Sequence, residues 1–501
     1  MKRRNFLYAG LCAAAIAPYP IWRHYRGDSK TLVSINAVSN LGGEVSLDAT
    51  ILGELAKSIG GSLLFPGSDG YEQARQVRNR MVDKYPALVV QCTGSEDISE
   101  VVNFAHHYQL LTAVKCGGHN IAGNGTCDGG ILIDLSPIQG VQVNPTRKTA
   151  WVAGGSLLAA LDEQSQAHGL VTTAGTVSHT GVGGLTLGGG FGRLARRFAL
   201  SSDNVLGVDI VTADGRLKRA SAEENTDLYW AVRGGGGNFG IVSSFDFQLH
   251  SLPRQVVGGE IYYPFDQAKE MIKFYAEYCQ DMPDEMYADL VIFAPPFGLP
   301  DALYLNVCYS GPLDKAEEAL APLRRVVKPT KDEIKLVDYV ELQKSSDDTD
   351  PRGTGQHLKS GFTKGISSGL VNALVDNLES DLFRGSMAFF QQTGGAISRI
   401  ETQATAFPHR YATHNLTIGA VWPDGIDPEP HAAWADAYWD KVKGFTDGFY
   451  TNDAYGIDAA VAESNYLTNH DRLVEVKTKY DPTNLFRVNT NIKPALQKQS
   501  S

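Results

Sequence analysis

Three glycine-rich loops constrain the fold of this chain more than any other feature of its sequence. They occupy residues 117–118, 181–192 and 234–240 of a chain with 52 glycines among 501 residues. Glycine lets two stretches of backbone approach closely, and its N–H groups can surround a pyrophosphate. Tight turns and bulges are the plainer explanation for a single loop of this kind. Three of them within one α/β region favour a nucleotide site.

The segments around these loops predict alternating strands and helices. Residues 87–92 predict a buried strand, 95–105 an amphipathic helix, and 111–116 a second strand that runs into the first glycine loop, which together make a βαβ unit. A hairpin is predicted over 208–220. The chain has no early G-x-G-x-x-G fingerprint and no phosphate-loop lysine motif. These segments therefore predict a nucleotide-binding domain that differs from a conventional Rossmann fold.

Charge and cysteine usage bear on two classes of partner. A formal net charge of −11 would repel backbone phosphates, so we expect no nucleic-acid partner. The six cysteines include no C-x-x-C pair, and His106-His107 lacks the spaced partners that a zinc site needs. We therefore expect neither a metal site nor a dense disulfide framework.

The first 30 residues predict an export signal. Arg3-Arg4 precedes a short apolar run from Leu11 to Ala17, a pattern typical of a twin-arginine signal. The alternative is a single uncleaved anchor, although this run is well below the ~20 residues that a spanning helix needs. We expect a periplasmic or extracellular protein with no stable membrane span beyond this segment. Pro18, directly after the run, leaves its removal open.

Changes in composition and in the pattern of predicted strands and helices indicate three regions after the signal. A chain of 501 residues fits two or three domains. We place a cofactor domain at 45–255, a substrate domain at 256–450 and a C-terminal segment at 451–501. The loop 345–355 is rich in Asp, Gly and Ser and predicts an exposed connection.

Four separated motifs resemble the berberine bridge enzyme-like branch of the vanillyl-alcohol oxidase and p-cresol methylhydroxylase superfamily. In chain order they are Gly117-Gly118-His119-Asn120, the run Gly181 to Gly192, Arg233-Gly234 to Gly240, and the tail from Asn465 to Arg487. Bacterial members of the hydroxy-D-nicotine oxidase type look most similar. The resemblance implies an α+β fold. It would have a two-subdomain FAD-binding domain of the p-cresol methylhydroxylase type, an α/β substrate domain with an antiparallel sheet, and a C-terminal segment that packs back on the FAD domain.

The resemblance also implies how FAD is held. His119 matches the histidine that bonds the 8α-methyl group of the flavin in this family. Many relatives add a cysteine link just before the second glycine run, where this chain has Val177, so we expect a single covalent link. The other expected cofactor-binding residues are Gly117, Gly118, Asn120, Ser178, Gly183, Gly184, Gly188, Gly240, Val242 and Asn489.

The catalytic base is where this chain departs from its relatives. A tyrosine follows the flavinylated histidine by two residues in berberine bridge enzyme, and Ile121 stands there in this chain. Relatives place Glu, Gln or Asn on the strand after a Phe-Pro-His-Arg motif, at the position of Thr417. A threonine hydroxyl cannot act as a base at neutral pH, so the assignment of a base by analogy ends there.

Several side chains remain as candidates. Tyr450 lies in a Tyr-x-Asn segment that resembles one facing the flavin in the family, and it could accept a proton if its pKa, about 10 when unperturbed, were lowered. Thr417 and His414, on one strand, complete the predicted catalytic set. Tyr411 and Asp453 are alternatives. Each of these residues has an equally simple structural explanation as a packed aromatic or a surface polar group.

Three functions fit this sequence. The first is an oxidase that transfers a hydride from a small alcohol, sugar or amine to covalent FAD and then to molecular oxygen. The second is a dehydrogenase that passes the electrons to another acceptor, such as a quinone or a protein. The third is a flavin-binding protein without catalysis, which the departures at Ile121 and Thr417 would permit.

Overall fold

Residues 32–295, 300–347, 353–378, 385–453 and 459–495 are described by a computed structural model. The signal predicted at 1–30 lies outside these ranges. Contacts group Ser34–Ser501 into one compact unit. Within the described ranges, no helix is both long and apolar enough to cross a membrane.

The described residues form five sheets. Their strands are β1 Ile35–Val38, β2 Glu44–Leu47, β3 Ser62–Leu64, β4 Leu88–Gln91, β5 Thr112–Lys115, β6 Ile131–Asp134, β7 Val141–Asn144, β8 Thr149–Ala153, β9 Leu170–Val171, β10 Val205–Val211, β11 Leu217–Ser221, β12 Ile241–Gln248, β13 His250–Ser251, β14 Gln255–Tyr263, β15 Met286–Phe293, β16 Ala302–Tyr309, β17 Lys331–Asp332, β18 Lys335–Asp338, β19 Gly355–Thr363, β20 Ser386–Gln392 and β21 His414–Trp422.

Helices cover or connect these sheets. They are α1 Ala49–Ser58, α2 Tyr71–Arg75, α3 Ser95–His107, α4 Leu158–Gln166, α5 Val182–Leu187, α6 Ala195–Phe198, α7 Thr226–Ala231, α8 Ala268–Tyr278, α9 Ala316–Arg325, α10 Tyr339–Lys344, α11 Ser368–Leu378, α12 Pro428–Val442, α13 Ala459–Asn465 and α14 His470–Tyr480.

Two sheets carry the glycine loops. The first has the order β3-β4-β6-β5, and in it β6 pairs in parallel with both β4 and β5. The predicted βαβ unit forms with one difference, because β6 lies between its two strands. Helix α3 buries Ile98, Val101 and Val102, as its apolar spacing predicts. The second sheet is antiparallel, with the order β11-β10-β12-β8-β7, and the predicted hairpin is its β10–β11 pair.

The third large sheet has eight strands and begins at Gln255, next to the predicted boundary at 256. Its main path is β17-β14-β16-β15-β20-β21-β19, with antiparallel pairing throughout, and β18 pairs β14 from the side. Alternate side chains of a strand point to opposite faces of its sheet. On β15, Ala288, Leu290 and Ile292 join the apolar core beneath helices α8 and α11. The other face is turned toward the glycine loops.

The C-terminal helix α14 packs against the half of the molecule that carries the glycine loops. Its apolar residues Leu473 and Val476 join the core of the five-stranded antiparallel sheet. The Lys477 ammonium donates hydrogen bonds to the Asn238 carbonyl at 2.8 Å and the Phe486 carbonyl at 2.9 Å, and it pairs with the Asp481 carboxylate at 2.6 Å. One buried ion pair therefore ties the third glycine loop to the tail of the chain.

The expectation of an exposed loop at 345–355 holds for Ser345, which is exposed, but the other residues that the structure describes there are half-buried or buried. Asp347 accepts hydrogen bonds from the Ser178 backbone N–H at 2.8 Å and from the Ser178 hydroxyl at 2.5 Å. Ser346 and Thr354 line the central cavity, and Gly355 is buried. Polar side chains of this segment contact Ser178 and Arg193, on either side of the second glycine loop, and a sequence pattern alone does not distinguish such contacts from solvation.

Candidate functional site

A cavity of about 820 Å³ lies between the glycine loops and the eight-stranded sheet. One wall consists of backbone from the three glycine loops, together with His119 and Asn489. The opposite wall consists of side chains from β14, β16, β15, β20, β21 and β19. This volume lies within the range of small-molecule and cofactor sites.

Close backbone contact joins the first and second glycine loops. A Cβ atom added to Gly117 would lie 2.3 Å from the backbone nitrogen of Gly181, so only glycine fits there. The first loop is also fixed by Asn120, whose side-chain oxygen accepts the Asn124 N–H at 3.0 Å. Its side-chain nitrogen donates to the Asn452 carbonyl at 3.3 Å. The backbone around His119 is therefore held from both sides.

Other glycines of the cavity wall leave open space. Gly184 and Gly237 both line the cavity, and a Cβ atom at either position would meet no atom within 4 Å. Protein packing therefore does not require glycine at these two positions. The side-chain oxygen of Asn489, also in the wall, is buried without a partner in the protein. Smooth backbone walls and an unsatisfied acceptor fit a bound nucleotide such as FAD.

His119 is half-buried and lines the cavity on the side of the glycine loops. Its Nε2 atom lies 2.7 Å from Nδ1 of His179, and its Nδ1 atom lies 3.3 Å from the Thr180 hydroxyl. Both neighbours belong to the segment that precedes the second glycine run. The sequence motifs do not point to His179, and only the contact between the two loops reveals it.

The position expected to lack a second flavin link lies in the same segment. Val177 lines the cavity beside Thr176. The cysteine that does line the cavity, Cys116, donates to the Ser156 carbonyl at 3.7 Å, and burial raises its thiol pKa to about 11. Cys116 is therefore a protonated, unreactive thiol at neutral pH.

The remaining predicted cofactor-binding residues divide into two groups. Gly118, Gly183, Gly240 and Val242 line the cavity. Two others, Ser178 and Gly188, are not among the residues that line the cavity, and both contact other parts of the protein. Ser178 is held by the Asp347 carboxylate. A Cβ atom at Gly188 would lie 2.4 Å from the Asn452 side chain, so this glycine makes room for Asn452.

The two predicted catalytic residues on strand β21 lie on opposite faces of the sheet. Thr417 faces the cavity, whereas Leu416 and Ile418 face the apolar core. His414 is an odd number of residues from Thr417 and therefore lies on the core face, in ring contact with Tyr275 and Phe390. Burial lowers its pKa to about 3. The prediction of His414 as a catalytic residue is wrong, because its side chain cannot reach the cavity.

Tyr450 lines the cavity, but its surroundings do not favour a base. Its ring packs on Phe191 with centroids 4.5 Å apart. Its hydroxyl oxygen accepts hydrogen bonds from the Gly190 N–H at 3.2 Å and the Asn452 amide at 2.8 Å. Burial raises the pKa of Tyr450 well above its ordinary value. Tyr450 therefore lacks the lowered pKa that it would need as a proton acceptor. It is a neutral phenol that can donate a hydrogen bond.

Asp453 and Tyr411 were the alternatives, and the structure separates them. Asp453 lines the cavity, where burial raises its carboxyl pKa to about 6 although Arg78 and Asn415 act in the opposite direction. The Asn415 amide donates to this carboxylate at 3.3 Å. The Tyr411 hydroxyl contacts His409 at 3.3 Å, and burial raises its pKa to about 12. Of these side chains, Asp453 has the pKa suited to accept a proton near neutrality.

A polar row on the eight-stranded sheet was not anticipated from the sequence. Cross-strand pairing places Glu260 beside Asn306 and Asn306 beside Asp289, and all three line the cavity. Tyr287 donates to Asp289, whose carboxyl pKa burial raises to about 7. The Asn306 side-chain oxygen is buried without a protein partner. The row presents mainly hydrogen-bond acceptors, which suits a ligand with hydroxyl or ammonium donors.

The described residues include no group of three or more histidine, cysteine, aspartate or glutamate side chains that could hold a metal ion.

Comparisons with known proteins find relatives along nearly the whole chain. Residues 86–221 match the family described as FAD binding domain, and residues 457–493 match the family described as berberine and berberine like. The chain is similar to an FAD-linked oxidoreductase of Dictyostelium discoideum, with 30% identity over 89% of this chain and 97% of that protein.

Two solved structures share the fold. One is 6-hydroxy-D-nicotine oxidase from Arthrobacter nicotinovorans, with a TM-score of 0.79 and 26% identity over 87% of this chain and 98% of that one. The other is xylooligosaccharide oxidase from Myceliophthora thermophila in complex with xylobiose, with a TM-score of 0.81 and 26% identity over 89% and 99%. These matches confirm the α+β fold class and the family resemblance predicted from the glycine motifs.

Proposed function

Because this chain belongs to the berberine bridge enzyme-like family of FAD-linked oxidoreductases, we propose that it oxidises a small alcohol, sugar or amine through covalently bound FAD and transfers the electrons to oxygen. FAD binding and oxidoreductase activity are family properties. The substrate class, oxygen as acceptor with hydrogen peroxide as product, and the bond to His119 are the proposal. Relatives named as oxidases of a xylooligosaccharide and of 6-hydroxy-D-nicotine support a sugar or an amine as substrate.

One observation carries the proposal. Backbone walls that fit a nucleotide and the acceptor row of the eight-stranded sheet face each other across a single cavity, with His119 on the cofactor side. When bound, FAD supplies the hydride acceptor, and the protein supplies position and electrostatics. Gly184 and Gly237 would make room for the cofactor, and the Asn489 side-chain oxygen would accept a hydrogen bond from it.

The protein residues of the other wall would bind and orient the substrate. The row Glu260, Asn306 and Asp289 would accept hydrogen bonds from substrate hydroxyl or ammonium groups. Asp453, also at the cavity, would accept the proton released from the O–H or N–H group of the reacting carbon. Tyr450, as a phenol, would donate a hydrogen bond. Thr417 would shape the space next to them, since it has no base chemistry.

We further propose a single flavin link and export of the folded enzyme. Val177 stands where relatives carry their second linking residue, and the thiol of Cys116 is held as a donor to Ser156. The paired arginines at 3–4 support export through a twin-arginine signal to the periplasm or the extracellular space.

The test is a substrate screen with two readouts. Purified protein is mixed with oligosaccharides, secondary alcohols and amines, and flavin reduction is followed without oxygen, while peroxide is followed in air with a catalase control. Flavin reduction together with peroxide is the expected result for at least one class. Flavin reduction without peroxide would favour a dehydrogenase with another acceptor. Flavin that no compound reduces would favour a protein that binds FAD without catalysis.

A further inference from the structure

We propose that the substrate is a neutral oligosaccharide, bound along a line of polar side chains that crosses five strands of the eight-stranded sheet and ends beside Asp453. The inference rests on the proposed oxidation in this cavity and narrows its substrate to one of the three classes. The register of the strands carries it, because it joins the acceptor row to two further amide side chains.

The acceptor row continues across the next two strands as a longer polar ladder. The Asp289 carboxylate accepts the Gln392 backbone N–H at 2.8 Å, which places Gln391 of β20 next in line. Gln391 pairs with Asn415 of β21, and the Asn415 amide donates to Asp453 at 3.3 Å. In order across the sheet, the polar ladder is Glu260, Asn306, Asp289, Gln391 and Asn415.

The length of the polar ladder indicates a ligand longer than one sugar ring. Neighbouring strands lie about 4.7–4.9 Å apart, so the steps from Glu260 to Gln391 span about 14 Å, and the step to Asn415 extends the ladder to about 19 Å. Asp453, the proposed proton acceptor, lies at the Asn415 end. The reacting carbon would therefore bind at this end, and the rest of the saccharide would extend toward Glu260.

The chemistry of the polar ladder favours hydroxyl groups over an ammonium group. Asn306 and Gln391 line the cavity, and no described protein group forms a hydrogen bond with either side chain. Asp289, between them, is held by the Tyr287 hydroxyl. A hydroxyl both donates and accepts, so a sugar can satisfy both ends of each amide, whereas an ammonium only donates and leaves the amide N–H groups unpaired. The ladder has two carboxyl groups and no cation, which fits a neutral sugar better than an acidic one.

A second row on the same face of the sheet supplies an apolar surface beside the polar ladder. It lies two residues further along the strands, where pairing joins Tyr304 to Val291, Val291 to Phe389, and Phe389 to Thr417. All four side chains line the cavity. A sugar ring has hydroxyl groups at its edge and C–H groups on its faces, so its edge can bond to the ladder while a face packs on Tyr304 or Phe389. A small aromatic amine would use the apolar row and leave most of the ladder without a partner.

The experiment measures binding and oxidation against saccharide length. The probes are glucose, xylose and N-acetylglucosamine, each with its linear disaccharide and trisaccharide, and benzylamine as an amine. Binding is measured by isothermal titration calorimetry on the anaerobically reduced holoenzyme, which cannot turn over, and flavin reduction is followed separately on the oxidised holoenzyme. The proteins compared are wild type, Asn306→Leu, Gln391→Met, and Gln255→Met as a control, because Gln255 lies on β14 but is exposed and outside the cavity. Thermal unfolding of each variant detects any loss of fold.

We expect at least one trisaccharide to bind wild type about tenfold more tightly than its monosaccharide, because it reaches more of the polar ladder. Gln391→Met should weaken both about three- to tenfold, the effect of a lost hydrogen bond close to the reacting end. Asn306→Leu should weaken the trisaccharide by a similar factor and the monosaccharide less, because Asn306 lies farther from Asp453 along the ladder. Gln255→Met should match wild type.

Affinity that does not rise with length in any of the three saccharide series would overturn the inference. So would a trisaccharide that binds Asn306→Leu and Gln391→Met as tightly as wild type. Flavin reduced by benzylamine, with no saccharide bound, would overturn the inference and leave the proposed oxidation standing. A trisaccharide that binds through the ladder but reduces no flavin would support the inference and contradict the proposed oxidation.

Discussion

The most direct prediction from the cavity concerns the protonation state of Asp453. Its carboxyl pKa is raised to about 6 by burial, so the carboxylate that we propose as the acceptor of the substrate proton forms as pH rises through that value. At pH 7 about nine-tenths of the carboxyl groups are ionised, and at pH 5 about one-tenth, by simple titration. We therefore expect kcat/KM to fall about tenfold from pH 7 to pH 5, with an acid limb centred near the Asp453 pKa.

Two substitutions test this origin of the acid limb. Asp453→Asn should lower kcat/KM by about 10²- to 10⁴-fold at neutral pH and should abolish the limb. Asn415→Ala removes an amide that donates to the carboxylate at 3.3 Å and lowers its pKa, so the limb should move to higher pH with the base still present. Tyr450→Phe should keep the limb in place, because the phenol is neutral throughout this range.

The assay is anaerobic flavin reduction under single-turnover conditions, at several pH values, with the substrate identified in the screen. It isolates proton and hydride transfer from the reaction with oxygen. If Asp453→Asn retained both the wild-type rate and the acid limb, Asp453 could not be the proton acceptor. If Tyr450→Phe alone removed the limb, the phenol would be the titrating group, and our account of its environment would be refuted.

Two further predictions concern stability and cofactor binding. Lys477→Met leaves the fully buried Asp481 carboxylate without its cation and should cost about 3–5 kcal/mol in thermal or denaturant unfolding. Lys479→Met, which removes an exposed pair on the same helix, should cost no more than about 1 kcal/mol, and equal losses would contradict this reasoning. Gly237→Leu should abolish FAD binding with little loss of stability, because its side chain would enter the open cavity. Gly365→Leu, at an exposed glycine with equal space, should bind FAD normally, and retained FAD in Gly237→Leu would place the cofactor elsewhere.

The sequence was informative where local pattern and backbone requirement coincide. Three glycine loops within one α/β region predicted a nucleotide site, and in the structure Gly117 packs against Gly181 while Gly184 and Gly237 leave open space at the cavity. Strand β4 and helix α3 could be predicted from their apolar spacing. The insertion of β6 between the strands of the βαβ unit could not be predicted, because tertiary packing decides which strands are neighbours in a sheet.

The catalytic residues were less predictable because they depend on which face of a strand is turned inward. His414 and Thr417 are three residues apart, and alternation puts them on opposite faces of β21. The acceptor row of Glu260, Asn306 and Asp289 requires the register of three strands, which no local pattern supplies. Strand β15 is mostly buried on both faces, so its alternation is hidden from a sequence pattern.

The central claim is that FAD is bound covalently at His119, in the cavity between the glycine loops and the eight-stranded sheet. The direct test is acid precipitation of purified wild-type protein and of His119→Ala, followed by a visible spectrum of each washed, redissolved pellet. We predict yellow flavin absorbance in the wild-type pellet and its loss from the His119→Ala pellet. Wild-type flavin found only in the supernatant would contradict the covalent bond, and flavin absent from both fractions would contradict the assignment of the cavity to FAD.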